Sequence, residues 1–196
     1  GFAIKYNGEE KVCPTYMGDG AVNQGQVYES FNMAALWHLP VLYVIENNKY
    51  AMGTSVERAS ATTELFQRGE AYGIPGEQVD GMHVLNVMAG AQRAVDHVRS
   101  GKGPYILEML TYRYRGHSMS DPAKYRSKEE VQKMRTEQDP LLRLREVMEK
   151  HAGVTEDELK QVDREIKDMV SEAAEFAQNS PEPDPSELYT NVVLEA

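Results

Sequence analysis

In 196 residues the chain holds a single cysteine, Cys13, and a single tryptophan, Trp37. One thiol excludes an internal disulfide framework, and a free cysteine usually behaves as a small core hydrophobe rather than a nucleophile. We therefore expect Cys13 in a buried strand, in a protein of an intracellular, reducing compartment. No apolar stretch approaches the ~20 residues needed to span a bilayer, and neither end carries the charged-then-apolar pattern of a signal peptide. A soluble protein with no membrane partner is expected. Positive charge is scarce as well: 21 Lys and Arg against 31 Asp and Glu give a net charge of −10. Nucleic acid is a poor partner for such a chain. Residues 151–196 hold 3 basic and 12 acidic side chains, a net of −9, so the rest is almost balanced. That acidic end reads as a solvated helix face rather than a docking patch. At 41% hydrophobic and 27% charged, the chain has material for one sizeable core.

What is present alternates between strand-like and helix-like segments. Residues 12–17 read as a short strand, and 41–45 form a continuous apolar run bounded by Pro40 and Glu46. Between them, residues 24–37 place Val27, Phe31, Ala34 and Ala35 at helical spacing, and Leu39-Pro40 ends the helix. A polar loop is expected over 47–61 and a helix near 63–72. Residues 85–100 read helical, with Val87, Ala91, Ala94, Val95 and Val98 inward. Gly101-Lys102-Gly103-Pro104 breaks that helix before a third strand at 105–110. Strand, helix, strand of this size is a parallel crossover, and ligands of open parallel sheets collect beyond the carboxyl ends of the strands.

Gly18-Asp19-Gly20 and, after 26 intervening residues, Asn47-Asn48-Lys49-Tyr50 stand at two such ends. Asp-Gly and Asn-Asn are common turn dipeptides, so either cluster alone is ordinary turn chemistry. Together, with two strands and a helix in agreement, they suit a magnesium ion on a diphosphate. Magnesium takes six oxygens and usually only one or two protein carboxylates. Asp19 would supply charge, Asn48 a neutral oxygen and the Tyr50 carbonyl a third ligand. Glycines flanking Asp19 let the backbone approach phosphates, and the N–H groups of Gly20 and Ala21 lead into a helix start.

Residues 113–122 follow the third strand as a loop, Arg113-Tyr114-Arg115-Gly116-His117-Ser118-Met119-Ser120-Asp121-Pro122. A loop histidine is usually just solvated. Here His117 follows two arginines in a mostly acidic protein, a pattern suited to charge-assisted hydrogen bonds with a diphosphate or a carboxylate substrate. Further on, Ser127 with Glu130 and Thr155 with Glu158 are capping-box pairs, and Asp139-Pro140 joins a capping residue to proline at the first helical position. Leu159, Val162, Ile166, Met169, Ala173 and Phe176 recur every 3 and 4 residues as one narrow stripe. It packs either on its own domain or in a subunit assembly. Pro181, Pro183 and Pro185 then stop the helix and begin an extended end.

The pair Gly18-Asp19-Gly20 and Asn47-Asn48 resembles the thiamine-diphosphate fingerprint. Asn23-Gln24-Gly25-Gln26, Met33-Ala34-Ala35-Leu36-Trp37, Gly53-Thr54-Ser55-Val56-Glu57-Arg58 and the 113–122 loop extend the likeness to the alpha subunits of the pyruvate dehydrogenase component, over nearly the whole chain. The resemblance implies an α/β thiamine-diphosphate-binding fold, a parallel sheet flanked by helices over residues 1–125, followed at 126–196 by a helical extension and tail. It implies magnesium on Asp19, Asn48 and the Tyr50 carbonyl, the diphosphate at Gly20 and Ala21, and His117 facing the cofactor to position or protonate substrate. A histidine's near-neutral titration suits that work.

The implied reaction is decarboxylation of pyruvate and reductive acetylation of the lipoyl group on the lipoyl domain of dihydrolipoyl acetyltransferase. The carboxylate that activates the cofactor's aminopyrimidine has no candidate here; in the family it belongs to a beta subunit of an α2β2 heterotetramer. The opening Gly1-Phe2-Ala3-Ile4 resembles the middle of the family protein, so a preceding portion is expected, and this chain alone should show no turnover and weak cofactor affinity. Serines matching Ser118 and Ser55 are phosphorylated in mitochondrial relatives, but Ala123-Lys124-Tyr125 has no third regulated serine. A bacterial-type, cytoplasmic protein is expected, or one of the mitochondrial matrix if eukaryotic. Ala51 stands where many relatives have glycine. Acetoin and branched-chain 2-oxoacid dehydrogenases share the fingerprint, yet 117–122 with 53–56 look most like the pyruvate enzymes. The alternative of another class is a noncatalytic interaction fragment.

Overall fold

A computed structural model describes residues 1–190. In chain order its elements are α1 (Phe2–Tyr6), β1 (Cys13–Gly18), α2 (Gly25–Leu36), β2 (Val41–Asn47), β3 (Tyr50–Ala51), β4 (Thr54–Ser55), α3 (Val56–Ala59), β5 (Gly76–Asp80), α4 (Val84–Arg99), β6 (Tyr105–Leu110), α5 (Lys128–Glu137), α6 (Pro140–Val147) and α7 (Glu156–Asn179). The chain divides into two compact units, Gly1–Arg145 and Glu146–Ala196. The first therefore carries on past residue 125, where the sequence places the end of the α/β domain, and takes in α5.

The first unit is built on a four-stranded sheet in the order β1-β2-β6-β5, every pair parallel. In β2 the unbroken apolar run is split between two faces by the period-two alternation of strand side chains. Val41, Tyr43 and Ile45 face Phe31 and Ala34 of α2, with Val22, Leu65 and Ile106. Leu42 and Val44 face Ala94 and Val98 of α4, with Val79 and Leu107. Phe31 packs edge-on to Tyr43 at 4.7 Å between ring centroids. A central strand covered on both faces needs no polar alternation, which is why this segment was legible as a strand.

The edges differ from expectation. β1 is an edge strand with Pro14, Thr15 and Tyr16 exposed, and Cys13 is only half-buried. The expected buried strand is thus half-open, because β1 pairs on one side alone. β5, Gly76-Glu77-Gln78-Val79-Asp80, was not anticipated. Its only large apolar residue, Val79, is buried, and an edge strand tolerates charges that a central one does not. The 47–61 loop contains the β3–β4 hairpin and α3, and the helix expected at 63–72 is a 3₁₀ segment, Leu65–Tyr72. There Gly69 lies against Ile106 and Ile74, so closely that an added Cβ would fall 2.5 Å from the Ile106 side chain.

The capping signals were realised unequally. Ser127 accepts from the Glu130 N–H at the start of α5, but Glu130 turns its carboxylate to the Tyr112 hydroxyl at 2.9 Å, leaving only half of the expected box. Asp139 caps α6 through the Leu141 N–H at 2.9 Å. In the second unit the Thr155–Glu158 box is complete. The α7 stripe is exposed: Val162, Ile166, Met169 and Phe176 are each more than half accessible. After α7 the prolines give a 3₁₀ turn, Pro185–Tyr189, in place of a wholly extended end; residues 191–196 of the expected tail lie outside the described ones.

Candidate functional site

Parallel register brings the two clusters together. Gly18, the last residue of β1, pairs with Glu46, and Asn47, the last of β2, pairs with Leu110 of β6. Asp19 and Asn48 are the residues that follow, so both lie at the carboxyl edge of adjacent strands. Asp19 is 3% exposed. Burial pushes its carboxyl above the usual range, while backbone hydrogen bonding at Asp19 and Asn48 and the charges of Arg113 and Arg126 pull the other way. The ionised form is thus under-compensated.

Asn48 Oδ1 is buried and, among the described residues, has no hydrogen-bond partner. A buried acceptor without a partner carries a desolvation cost. Among the described residues no three His, Cys, Asp or Glu side chains gather as a metal cluster. A cation here would rest on one carboxylate and neutral oxygens, the donor set that magnesium on a phosphate accepts. The under-compensated Asp19 and the orphaned Asn48 oxygen fit that ion.

Gly20 and the Tyr50-Ala51 strand also meet. A Cβ added at Gly20 would lie 2.5 Å from Ala51 Cβ. The Ala51 side chain therefore fills the space Gly20 leaves open. Gly20 and Ala21 lead into a three-residue 3₁₀ turn, Ala21–Asn23, and α2 begins only at Gly25. The expected helix start is displaced from Gly20 and Ala21 by one tight turn, so the dipole of α2 does not begin at these two residues.

Arg126, absent from the sequence reading, ties the site's two loops together. Its guanidinium carbon lies 4.4 Å from the Tyr112 ring centroid, 4.8 Å from that of Tyr50 and 5.7 Å from that of Tyr125. It donates to the Asn48 carbonyl at 2.7 Å and also to the Arg113 carbonyl. Tyr50 stacks on Tyr125 at 4.8 Å, and Arg113 donates to the Met52 carbonyl and to the Tyr125 hydroxyl, each at 2.9 Å. Tyr125 in turn donates to Asp121 at 2.7 Å, and the same carboxylate accepts the His117 N–H at 2.7 Å and the Ala123 N–H at 2.9 Å. The backbone N–H of His117 is the largest cause holding the Asp121 carboxyl down at about 2, with Tyr125 and Ala123 adding to it. A tyrosine-arginine pair shortly after a glycine-containing loop was the available signal.

His117 is less committed. Its side chain is exposed, and among the described residues its imidazole makes no hydrogen bond to Asp19 or Asn48. Of the candidate residues, the structure brings Asp19, Gly20, Asn48 and Tyr50 together, Ala21 follows in the turn, and His117 stands on the loop that Asp121 anchors. The Ser118 hydroxyl faces Ser120 at 3.0 Å, whereas Ser55 caps α3 by accepting the Arg58 N–H. Beside Asn48 and Tyr50 a cavity of about 270 Å³ opens, lined also by Asp80, Thr111 and Arg126.

The model of one family, Dehydrogenase E1 component, matches residues 1–186. The chain belongs to the dehydrogenase E1 component family. It is 65% identical over 193 residues to the pyruvate dehydrogenase E1 component subunit alpha of Rhizobium meliloti, covering 98% of this chain and 56% of that protein. Against the Zymomonas mobilis protein of the same name the identity is 57% over 193 residues, 98% and 54% of the two chains. The somatic, mitochondrial form from Bos taurus is 50% identical over 187 residues, 95% and 47%. The chain spans about half the length of these curated relatives. The α/β parallel-sheet architecture described above is thus that of a dehydrogenase E1 component family member. Among the described residues no helix is long and apolar enough to cross a membrane.

Proposed function

We propose that this chain supplies the magnesium and diphosphate half of a pyruvate dehydrogenase active site. Family members use thiamine diphosphate and magnesium. The observation that carries the reading is the buried, partnerless Oδ1 of Asn48 at the same sheet edge as the buried carboxyl of Asp19. In this reading Asp19, Asn48 and the Tyr50 carbonyl hold the metal, while the backbone at Gly20 and Ala21 receives the diphosphate. Bound thiamine diphosphate supplies an electron sink for decarboxylating a 2-oxoacid.

The chain's own residues set the geometry around that chemistry. Asp19 offers fixed negative charge that a divalent cation relieves. Arg126 and Arg113 hold the 48–52 segment against the 113–125 loop and add positive potential near the anion. His117, on the loop anchored by Asp121, positions substrate or delivers a proton to it. The acidic group that activates the aminopyrimidine comes from a beta subunit in an α2β2 assembly, and the acyl acceptor is the lipoyl group of the acyltransferase. The relatives' names favour pyruvate over acetoin and branched-chain 2-oxoacids, and a cytoplasmic or mitochondrial-matrix setting follows from whether the source is bacterial or eukaryotic.

Calorimetry tests the reading. Thiamine diphosphate with magnesium is titrated into the chain with and without a beta subunit, for the wild type and for Asp19→Asn. Weak binding by the chain alone, strengthened by the partner and lost in the variant, is expected. Four indistinguishable titrations would leave a noncatalytic interaction fragment. For the assembled enzyme, kcat/KM ratios across pyruvate, a branched-chain 2-oxoacid and acetoin decide the substrate.

A further inference from the structure

Glu108 is fully buried in the middle of β6 and, among the described residues, forms no ion pair with a lysine or arginine; both its oxygens receive N–H groups. Oε1 accepts from the side-chain amide of Asn47 at 2.7 Å, and Oε2 accepts from the backbone N–H of Phe66 at 3.0 Å. Asn47 is itself 2% exposed, and its other side-chain atom, Oδ1, accepts the Lys49 N–H at 3.0 Å. Lys49 sits in the left-handed region with φ 70°, which costs a non-glycine residue free energy unless local bonds compensate. The bend it makes carries the chain from Asn48 to Tyr50. A side-chain amide can face its neighbours in two ways that differ by exchange of O and N. Because both Glu108 oxygens act as acceptors, only the Asn47 N–H₂ satisfies Oε1, and Oδ1 is then left facing Lys49.

We infer that Glu108, acting through Asn47, is a positioning residue that presets the Asn48–Lys49–Tyr50 bend. The inference rests on the reading of Asp19, Asn48 and Tyr50 as the metal site. Neither residue touches the metal in this arrangement. Glu108 fixes the orientation of the Asn47 amide, the amide stabilises the left-handed Lys49, and the bend directs Asn48 Oδ1 and the Tyr50 carbonyl. The Thr111 N–H on the Asn47 carbonyl at 2.9 Å holds the root of the bend to β6 independently.

The test reverses the hydrogen bond. Glu108→Gln removes one acceptor and sets an amide against an amide. Adding Asn47→Asp restores the complement, since the introduced amide at 108 can donate to the introduced carboxylate at 47 while still accepting the Phe66 N–H. The other oxygen at 47 still accepts from Lys49. Amide hydrogen exchange is measured on the unliganded chain. Glu108→Gln should accelerate exchange at Lys49 about tenfold, the effect of one lost buried hydrogen bond, with the amides of β2 and β6 moving far less. The double exchange should bring Lys49 back towards wild type. In parallel, Mn²⁺ with thiamine diphosphate, followed by electron paramagnetic resonance, should bind about tenfold more weakly to Glu108→Gln and recover in the double variant.

Uniform acceleration of all sheet amides by Glu108→Gln would make the residue merely structural and overturn the inference. So would a double variant that does not recover Lys49 protection. If Glu108→Gln fails to fold but the double variant folds, the linkage is supported; if neither folds, it is overturned. Asp19→Asn serves as the separate arm, expected to lose Mn²⁺ without changing Lys49 exchange. Undiminished Mn²⁺ binding there would overturn the metal-site reading instead.

Discussion

Replacing Asp19 by asparagine should separate stability from binding. In the unliganded chain the carboxyl is 3% exposed and its titration is raised, with burial the largest cause. A carboxyl raised in the folded state destabilises the fold above that folded value, because the unfolded chain ionises more readily. Asp19→Asn removes the charge at nearly constant volume, so the unliganded variant should melt at or above the wild-type temperature. Ligand reverses the order. At a hundredfold excess over Kd, a ligand that binds only the folded state adds about 2.7 kcal/mol. For a chain of this size each kcal/mol moves Tm by about 2–4 °C, so wild type should gain roughly 5–11 °C with magnesium thiamine diphosphate, worked from the same two relations. The variant, lacking the carboxylate proposed to hold the metal, should gain almost nothing. Differential scanning calorimetry with and without ligand gives all four temperatures. A variant that melts well below wild type without ligand would make Asp19 a structural anchor and refute the argument; a preserved ligand shift would refute its role in binding.

Gly20→Ala should destabilise by about 1–3 kcal/mol through overpacking against Ala51, with urea titration as the readout, and adding Ala51→Gly should return most of the loss. Acid should loosen the 113–125 loop: the Asp121 carboxyl is held at about 2 against the ordinary aspartate value of 3.8, so its contribution is full above about pH 4 and lost as pH falls through about 2. Exchange at His117 and Ala123 in that window, compared with the Asp121→Asn chain, checks this. Phe31→Ala, a fully buried ring between β2 and α2, should cost about 3–5 kcal/mol by chemical denaturation. Ile166→Asp on the exposed α7 stripe should leave the melting of the isolated chain within about 0.5 kcal/mol of wild type.

The parts that could be read from sequence are those whose environment is simple. Central β2 is apolar throughout because it is covered twice, and α2 and α4 show the helical period because each has one buried face. β5 escaped because an edge strand with one buried valine has no period to show. The strand ends of the candidate site were legible from Gly18-Asp19-Gly20 and Asn47-Asn48, where residue types limit the chemistry. Arg126, Asp121 and Tyr125 were not, since their meaning lies in contacts with residues up to 78 positions away, as between Arg126 and Asn48. Glu108 was visible as a carboxylate inside an apolar strand, the one misplaced polar residue of that run. Its partner at position 47 is 61 positions away, and only the register of β2 with β6 connects them.

The three rings around Arg126 have an electrical consequence. Its hydrogen bonds go to the carbonyls of Asn48 and Arg113, and among the described residues no carboxylate forms an ion pair with it. An arginine so held is mechanically committed while its charge stays unneutralised, and guanidinium does not titrate in proteins. Bulk salt weakens ion pairs between exposed charges far more than ring and carbonyl contacts. The clasp between the loops should therefore hold at high ionic strength, while the same positive charge remains available to Asp19 and to any anion that settles at the strand ends.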